Sequence, residues 1–448
     1  MRARSAATLL LLLSCALGAA CQRAPAKPPL VLLISVDTLR RDALHAFAQG
    51  AAPLASLDAF AAESVRFDRA TSAASWTLPA HGSLLTGLYP DRHGATDPHV
   101  ALSNEVPTLA ERLRAAGFET IALTQGGYLD RKYGMDRGFD RYTDDPPSGG
   151  PDHSIFDQAA ALVAARKDAR PLFLFLQTYS VHDYFLLRPW TVAAIGEKPP
   201  RTASEYGACL QGRMRCDPAD WQVLRALYDA ELQNLDACFG RLRAALVAAG
   251  LWDRALVVLT SDHGEGFAPE LHRIHHGGRL HEDLVRVPML VRAPGLTARA
   301  IAAPVSLVDV APTLLAMTGA EPIANADGRS LADLLRGGAD PPARTLFAEE
   351  HYSTWWADTR TRAVSVQARP LSIAAIDGDH WYLRTADRES VYDLASDPHM
   401  EHDLGPGAPF AAALREAAKQ RDVDRVATPV LESDEQLRAR LRALGYGE

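Results

Sequence analysis

The chain carries no block of basic residues, no Cys-x-x-Cys pair and no internal repeat. The first absence argues against a nucleic-acid polymer as partner, since such proteins present clustered Lys and Arg. Formal charge is −8, and removing the first twenty residues with Arg2 and Arg4 brings it to about −10. An anionic ligand must therefore be held by local devices, a metal ion or helix N-termini, against a slightly repelling global field. The second absence removes the cysteine knuckle as a metal site. Five cysteines are present. Cys15 and Cys21 lie near the N-terminus; Cys209 and Cys216, in "CLQGRMRC", could staple one loop in an oxidising compartment, which leaves Cys238 free in a helix. The third absence excludes a repeat array.

What is present starts with "MRARSAATLLLLLSCALGAACQRAPAKPP". A basic start, a short apolar stretch and small residues before Cys21 read as an export signal over 1–20 and a linker over 21–29. The expected location is the bacterial periplasm or cell envelope. Lipidation at Cys15 or Cys21, which would tie the protein to a membrane, and ordinary cleavage after Gly18-Ala19-Ala20 both stay open.

At 448 residues, with 47% hydrophobic and 23% charged residues, the composition is globular, and the length suggests a main domain with a smaller one appended. "LVLLISVDTLRRD" is a continuous apolar run ending in a carboxylate, the pattern of a buried parallel strand. Helical patterns then alternate with further apolar strands: a Pro-led helix with Leu109 and Leu113 on one face and a stop at Gly117, "PLFLFLQTYSVHD", and a long helix from about Leu227 before strand Ala255–Thr260. This alternation predicts a doubly wound α/β fold, a large, mostly parallel central sheet between helices. Periodicity lapses over 187–220, which reads as an insertion into a domain spanning 30–346. From about Phe347 short alternating segments, "RAVSVQ" among them, with turns at Asp377-Gly378 and near Asp387, predict a small antiparallel sheet, and the tail "DEQLRARLRALGYGE" predicts a terminal helix.

Candidate chemistry collects at strand ends. Asp262 and His263 follow strand Ala255–Thr260, and carboxylate plus neutral imidazole is a common donor pair for a divalent ion. Asp37 closes the first strand, and carboxyl ends of neighbouring parallel strands share one crevice. Asp42 is an alternative ligand, with a surface carboxylate as its other reading; His272, His275 and His281, taken singly, read as loop histidines. Thr77, in "SWTLPAHGSLLTG", precedes Pro79 at the start of a helix. There it is either a nucleophile whose hydroxyl a metal activates or a helix cap, and the residues alone leave both open. His182 ends a third strand and could serve a leaving-group oxygen.

At these residues the chain resembles the sulfatase family of the alkaline phosphatase superfamily, over nearly all of Leu30 to Gly405. "TLPAHGSLLTG" is similar to the signature Cys/Ser-x-Pro-x-Arg-x-x-x-Leu-Thr-Gly, and "ISVDTLRRD", "GFETIALTQGGY", "VVLTSDHGE", "LHEDLVRVPMLVRAPG" and "VYDLASDPHMEHDL" follow in family order. The resemblance implies an exported sulfate- or phosphate-ester hydrolase with Asp37, Asp262 and His263 on one divalent ion (Ca, Mg, Mn or Zn), a second ion being open. It sets His182 near the leaving group, and His276 or Gly277 where members bind substrate. Three departures stand out: Thr77 replaces the formylglycine precursor, His81 replaces the signature arginine in the catalytic helix, and Thr38 replaces a second aspartate. Threonine nucleophiles occur in superfamily relatives such as nucleotide pyrophosphatases and phosphoethanolamine transferases, so Thr77 favours phosphoryl over sulfuryl substrates. A group transferase and a non-catalytic envelope binding protein are the alternative readings.

Overall fold

Strand β1, Leu30–Val36, is buried at every position, and alternate residues enter different cores. The computed structural model describes residues 27–144, 154–196, 198–271, 273–351, 371–386 and 388–421, with 428, 429, 431, 435, 439 and 441. The leader with Cys15 and Cys21, His272, segment 362–367, Asp387 and most of the expected tail helix lie outside the described residues.

The main sheet has eight strands. After β1 come β2 (Val65–Phe67), β3 (Glu119–Leu123), β4 (Arg141–Thr143), β5 (Leu172–Thr178), β6 (Leu256–Thr260), β7 (Met289–Arg292) and β8 (Arg299–Ile301). Their spatial order is β8-β2-β7-β6-β1-β5-β3-β4, and β7 alone is reversed. Short β2 and β4 carry too little pattern to read from sequence. The helices that cover it include α1 (Ala55–Ala62), α2 (Thr77–Thr86), α3 (Leu109–Ala115), α4 (Ile155–Ala165), α5 (Pro218–Ala248) and α6 (Val310–Thr318). Leu30, Leu32, Ile34 and Val36 pack with α1, α4 and α5, whereas Val31 and Leu33 pack with α2, α3 and α6. Both faces are therefore covered, the condition for a mainly parallel sheet.

Register decides where the site falls. Val36 lies opposite Thr178 on β5, and Ser35 lies opposite Thr260 on β6. The segments leaving β1, β5 and β6 thus emerge side by side at one edge.

Two features differ from the expected outline. α5 starts at Pro218, well before Leu227, because Asp217 and Asp220 form a capping box at its N-terminus. The insertion carries two short helices, Pro189–Ile195 and Ala203–Leu210, and a disulfide joins Cys209 to Cys216.

The small sheet comprises β9 (Leu346–Glu350), β10 (Ser372–Asp377), β11 (His380–Arg384) and β12 (Glu389–Asp393), all antiparallel. Its first hairpin turns at Gly378, with φ of +61°. One face packs on helix α7 (Ala411–Lys419) through Ile373, Tyr382, Leu414 and Ala418. The other packs Leu346, Ala348 and Trp381 against Leu284 and Val285 of the main domain. Among the described residues no helix is long and apolar enough to cross a membrane.

Candidate active site

Asp37 sits just beyond β1, and Asp262 and His263 just beyond β6; all three side chains are wholly buried. Between them comes Thr77, the first residue of α2. The cap position belongs to Trp76, which is extended and makes no side-chain capping bond. The Thr77 hydroxyl instead donates to Asp37 Oδ2 at 3.1 Å and lies 3.4 Å from His263 Nε2. Of the two readings of Thr77, the helix cap does not describe this arrangement. Thr38 has φ of +58° and gives its hydroxyl to the Asp37 carbonyl at 2.7 Å, so it adds no donor to the crevice.

His263 Nδ1 faces the Gly264 carbonyl at 3.0 Å, an atom that only accepts, so the ring nitrogen carries the proton there and Nε2 presents its lone pair. Burial holds this imidazole below its ordinary pKa against the pull of Asp262. Burial, then the neighbouring Asp262 carboxylate, push the Asp37 carboxyl well above the usual range. Asp37 Oδ1 and Asp262 Oδ2 are buried and accept no hydrogen bond among the described residues. Ligand atoms of Asp37, Asp262 and His263 lie within 4.8 Å of one another. Two orphaned carboxylate oxygens beside an imidazole lone pair fit a divalent cation, which would relieve both the missing bonds and the like-charge repulsion.

His81 lies one turn along α2. Its Nδ1 donates to the Thr77 carbonyl at 2.9 Å, its Nε2 accepts from the Ser35 hydroxyl at 3.0 Å, and Nδ1 is 3.5 Å from Asp262 Oδ2. Burial lowers its pKa, against the pull of Asp262, so the ring is neutral. These contacts make it a support for Thr77 rather than a group aimed at substrate.

The opposite wall is imidazole-rich. His182 donates from Nδ1 to Asp183 at 2.9 Å, and Asp183 also accepts from Arg188 at 3.0 Å. The His276 ring lies 4.7 Å from that of His263 and 5.1 Å from that of His182. His276 Nδ1 and His275 Nδ1 are 3.2 and 3.4 Å from Glu265 Oε2. Gly277 contributes backbone alone, donating to the Ser75 carbonyl at 2.9 Å. Asp42 pairs with Arg40 and His281 heads a short helix at Glu282–Val285, so neither is shown among these contacts. Sequence reasoning missed Glu265, although it stands two residues beyond His263, and missed Glu350, whose carboxylate binds Ser75, Trp76 and Gly278. A separate cleft of about 780 Å³ is bounded by Trp221, Arg225, Phe267 and Pro269 and contains none of the site residues above.

Carboxylates, imidazoles and a helix-borne hydroxyl thus gather at the carboxyl edge of a covered α/β sheet. The family model for sulfatases matches residues 29–320, and that for the C-terminal region of N-sulphoglucosamine sulphohydrolase matches 272–421. The chain belongs to the sulfatase family, a class of sulfuric- and phosphoric-ester hydrolases. The multifunctional alkaline phosphatase superfamily protein PehA of Trinickia caryophylli is 25% identical over 487 aligned positions, covering 87% of this chain and 94% of its own. Arylsulfatase K of Xenopus laevis is 25% identical, covering 71% and 68%. In fold, the phosphonate monoester hydrolase of Agrobacterium radiobacter superposes with a TM-score of 0.68 at 21% identity, covering 88% of this chain and 94% of that one.

Proposed function

We propose that the chain is an exported, metal-assisted hydrolase of phosphate, phosphonate or sulfate esters with Thr77 as nucleophile. The observation that carries this reading is the Thr77 hydroxyl, held between Asp37 and His263 at 3.1 and 3.4 Å. Asp37, Asp262 and His263 would hold the cation. A cation there supplies Lewis acidity, lowering a hydroxyl pKa and polarising an ester oxygen.

The chain's own groups do the rest. The first turn of α2 points its positive dipole end toward the Thr77 region and favours an incoming anion. Thr77 Oγ forms a bond to phosphorus or sulfur as the bond to the leaving oxygen breaks, and its proton leaves along the hydrogen bond to Asp37. His182, acting as the imidazolium, keeps Nδ1–H on Asp183, which Arg188 also holds, and gives its Nε2 proton to the leaving oxygen. Water then attacks phosphorus or sulfur and gives a proton back to His182 as the bond to Thr77 Oγ breaks, and the proton held by Asp37 returns to that oxygen to restore the hydroxyl. A threonyl ester lacks the second hydroxyl by which a formylglycine hydrate expels sulfate through its own C–O bond. It must be resolved at phosphorus or sulfur, which favours phosphoryl substrates.

Chromogenic phosphate, phosphodiester, phosphonate and sulfate esters test the reading. Thr77→Ala is expected to lower kcat by about 10³ or more, as loss of a nucleophile does, while Thr77→Ser keeps most of it. Thr77→Ala within a few-fold of the parent would remove Thr77 from the mechanism. Export is supported by the leader and by the Cys209–Cys216 disulfide. The mass of the mature N-terminus distinguishes a lipidated Cys21 from plain cleavage.

A further inference from the structure

We infer that Glu265, His275 and His276 hold a second divalent cation beside the one assigned to Asp37, Asp262 and His263. The inference rests on reading the crevice as a metal-assisted ester-hydrolase site.

The local fold builds the cluster. Gly266–Ala268 and Arg273–His275 form a two-stranded hairpin in which Gly266 faces His275, so the next pair outward is Glu265 with His276. Successive residues of a strand ordinarily point to opposite sides. At His275 the backbone turns left-handed, with φ of +56°, and the alternation breaks. Both imidazoles then reach one carboxylate oxygen, at 3.4 and 3.2 Å. Each of the three residues is buried, and their ligand atoms lie within 4.8 Å of one another. One carboxylate and two imidazoles suit Zn²⁺ or Mn²⁺.

Charge gives a separate reason. Among the described residues Asp37, Asp262 and Glu265 form ion-pair contacts only with histidines, and Arg188 is shared by Asp183 and Glu231. Three carboxylates outweigh one divalent cation, so an anionic ester would enter a negative site. A second cation reverses the sign. The ring of His276 lies 4.7 Å from that of His263, so the two sites share a wall and one ester can address both.

The test is metal stoichiometry of the mature full chain, stripped by chelation, loaded with Zn²⁺ and freed of unbound ion by gel filtration. Two ions per chain are expected in the parent, one in Glu265→Gln, one in His275→Gln, one in Asp262→Asn, and none in Glu265→Gln combined with Asp262→Asn. Melting temperature and circular dichroism confirm that each variant is folded. Mn²⁺ loading adds a second readout: a spin-coupled signal in the parent that the single-site variants convert to an uncoupled one. One ion in the parent, or two in Glu265→Gln, overturns the second site. Two ions in Asp262→Asn with one in Glu265→Gln overturns the first site and supports the second.

Discussion

Glu350 accepts the indole N–H of Trp76 at 3.1 Å across 274 positions of chain. The same carboxylate accepts from the Ser75 hydroxyl at 3.0 Å and from the Gly278 backbone at 3.1 Å. Glu350 ends β9, so the small sheet fixes both the turn before Thr77 and the segment that follows His276. It is part of the site's frame.

Removing that carboxylate leaves buried donors without an acceptor. Glu350→Ala is expected to cost about 2–4 kcal/mol, from lost charge-assisted bonds and unsatisfied donors. Glu350→Gln keeps one acceptor oxygen and should cost less. Urea denaturation measures the two changes, and a steady-state assay should show kcat falling in the same order. Equal, small effects in both variants would contradict the frame.

His81 gives a different kind of prediction. It touches Thr77 through the backbone and Ser35 through its hydroxyl, so His81→Ala leaves a carbonyl and a hydroxyl without partners, a loss of about 1–3 kcal/mol. kcat is expected to fall while KM changes little. Burial already holds the ring below its ordinary pKa and neutral. The pH profile of kcat should therefore keep its shape in the variant. A lost limb in that profile would show instead that His81 moves a proton.

How much of this could be read from the sequence depended on pattern length. β1, β3, β5 and β6 are apolar runs, and three of them lead into Asp37, His182 and Asp262-His263, so the strands and the candidate crevice were legible together. Short β2 and β4 were not, because three residues hold no periodicity. The insertion helix Ala203–Leu210 was missed although Thr202 and Glu205 spell a capping box, which shows that cap signals deserved more weight than the absence of an apolar stripe. Glu265 and Glu350 became visible only through contacts with His276 and Trp76, from the hairpin register and from a strand far along the chain. No local rule reports those.

Asp37 should show opposite effects of one substitution in two solutions. Burial and Asp262 raise its carboxyl pKa, so without a cation the ionised pair opposes folding, and this loss grows as pH rises above about 4, the unfolded value. In chelator at neutral pH, Asp37→Asn is expected to raise stability by about 1 kcal/mol or more. With Zn²⁺ at about a hundredfold excess over Kd, the parent gains about 2.7 kcal/mol of binding linkage that the variant forfeits. Thermal melts with and without Zn²⁺ check the crossover; an order of stabilities that does not change with the ion would refute it.

Arg421 ties the end of α7 to the main domain. Arg421, just beyond α7, contacts Asp91 and lies 3.1 Å from Glu349 and 3.6 Å from Asp327. One guanidinium thus serves three carboxylates. Burial, then the Glu349 charge, push the Asp91 carboxyl up to about 8, with Arg421 opposing; burial raises Glu349 as well. A carboxyl whose folded pKa is raised binds more protons folded than unfolded, so its contribution is complete below about 4 and is lost as pH climbs toward about 8. Stability in urea should therefore fall between about pH 5 and about pH 8, by at least about 1 kcal/mol from this group. Asp91→Asn cannot ionise, and the fall should shrink by that amount. An unchanged pH slope in the variant would mean that Arg421 keeps Asp91 ionised throughout, and the strain would then have to lie on Glu349, where Glu349→Gln would flatten the curve instead.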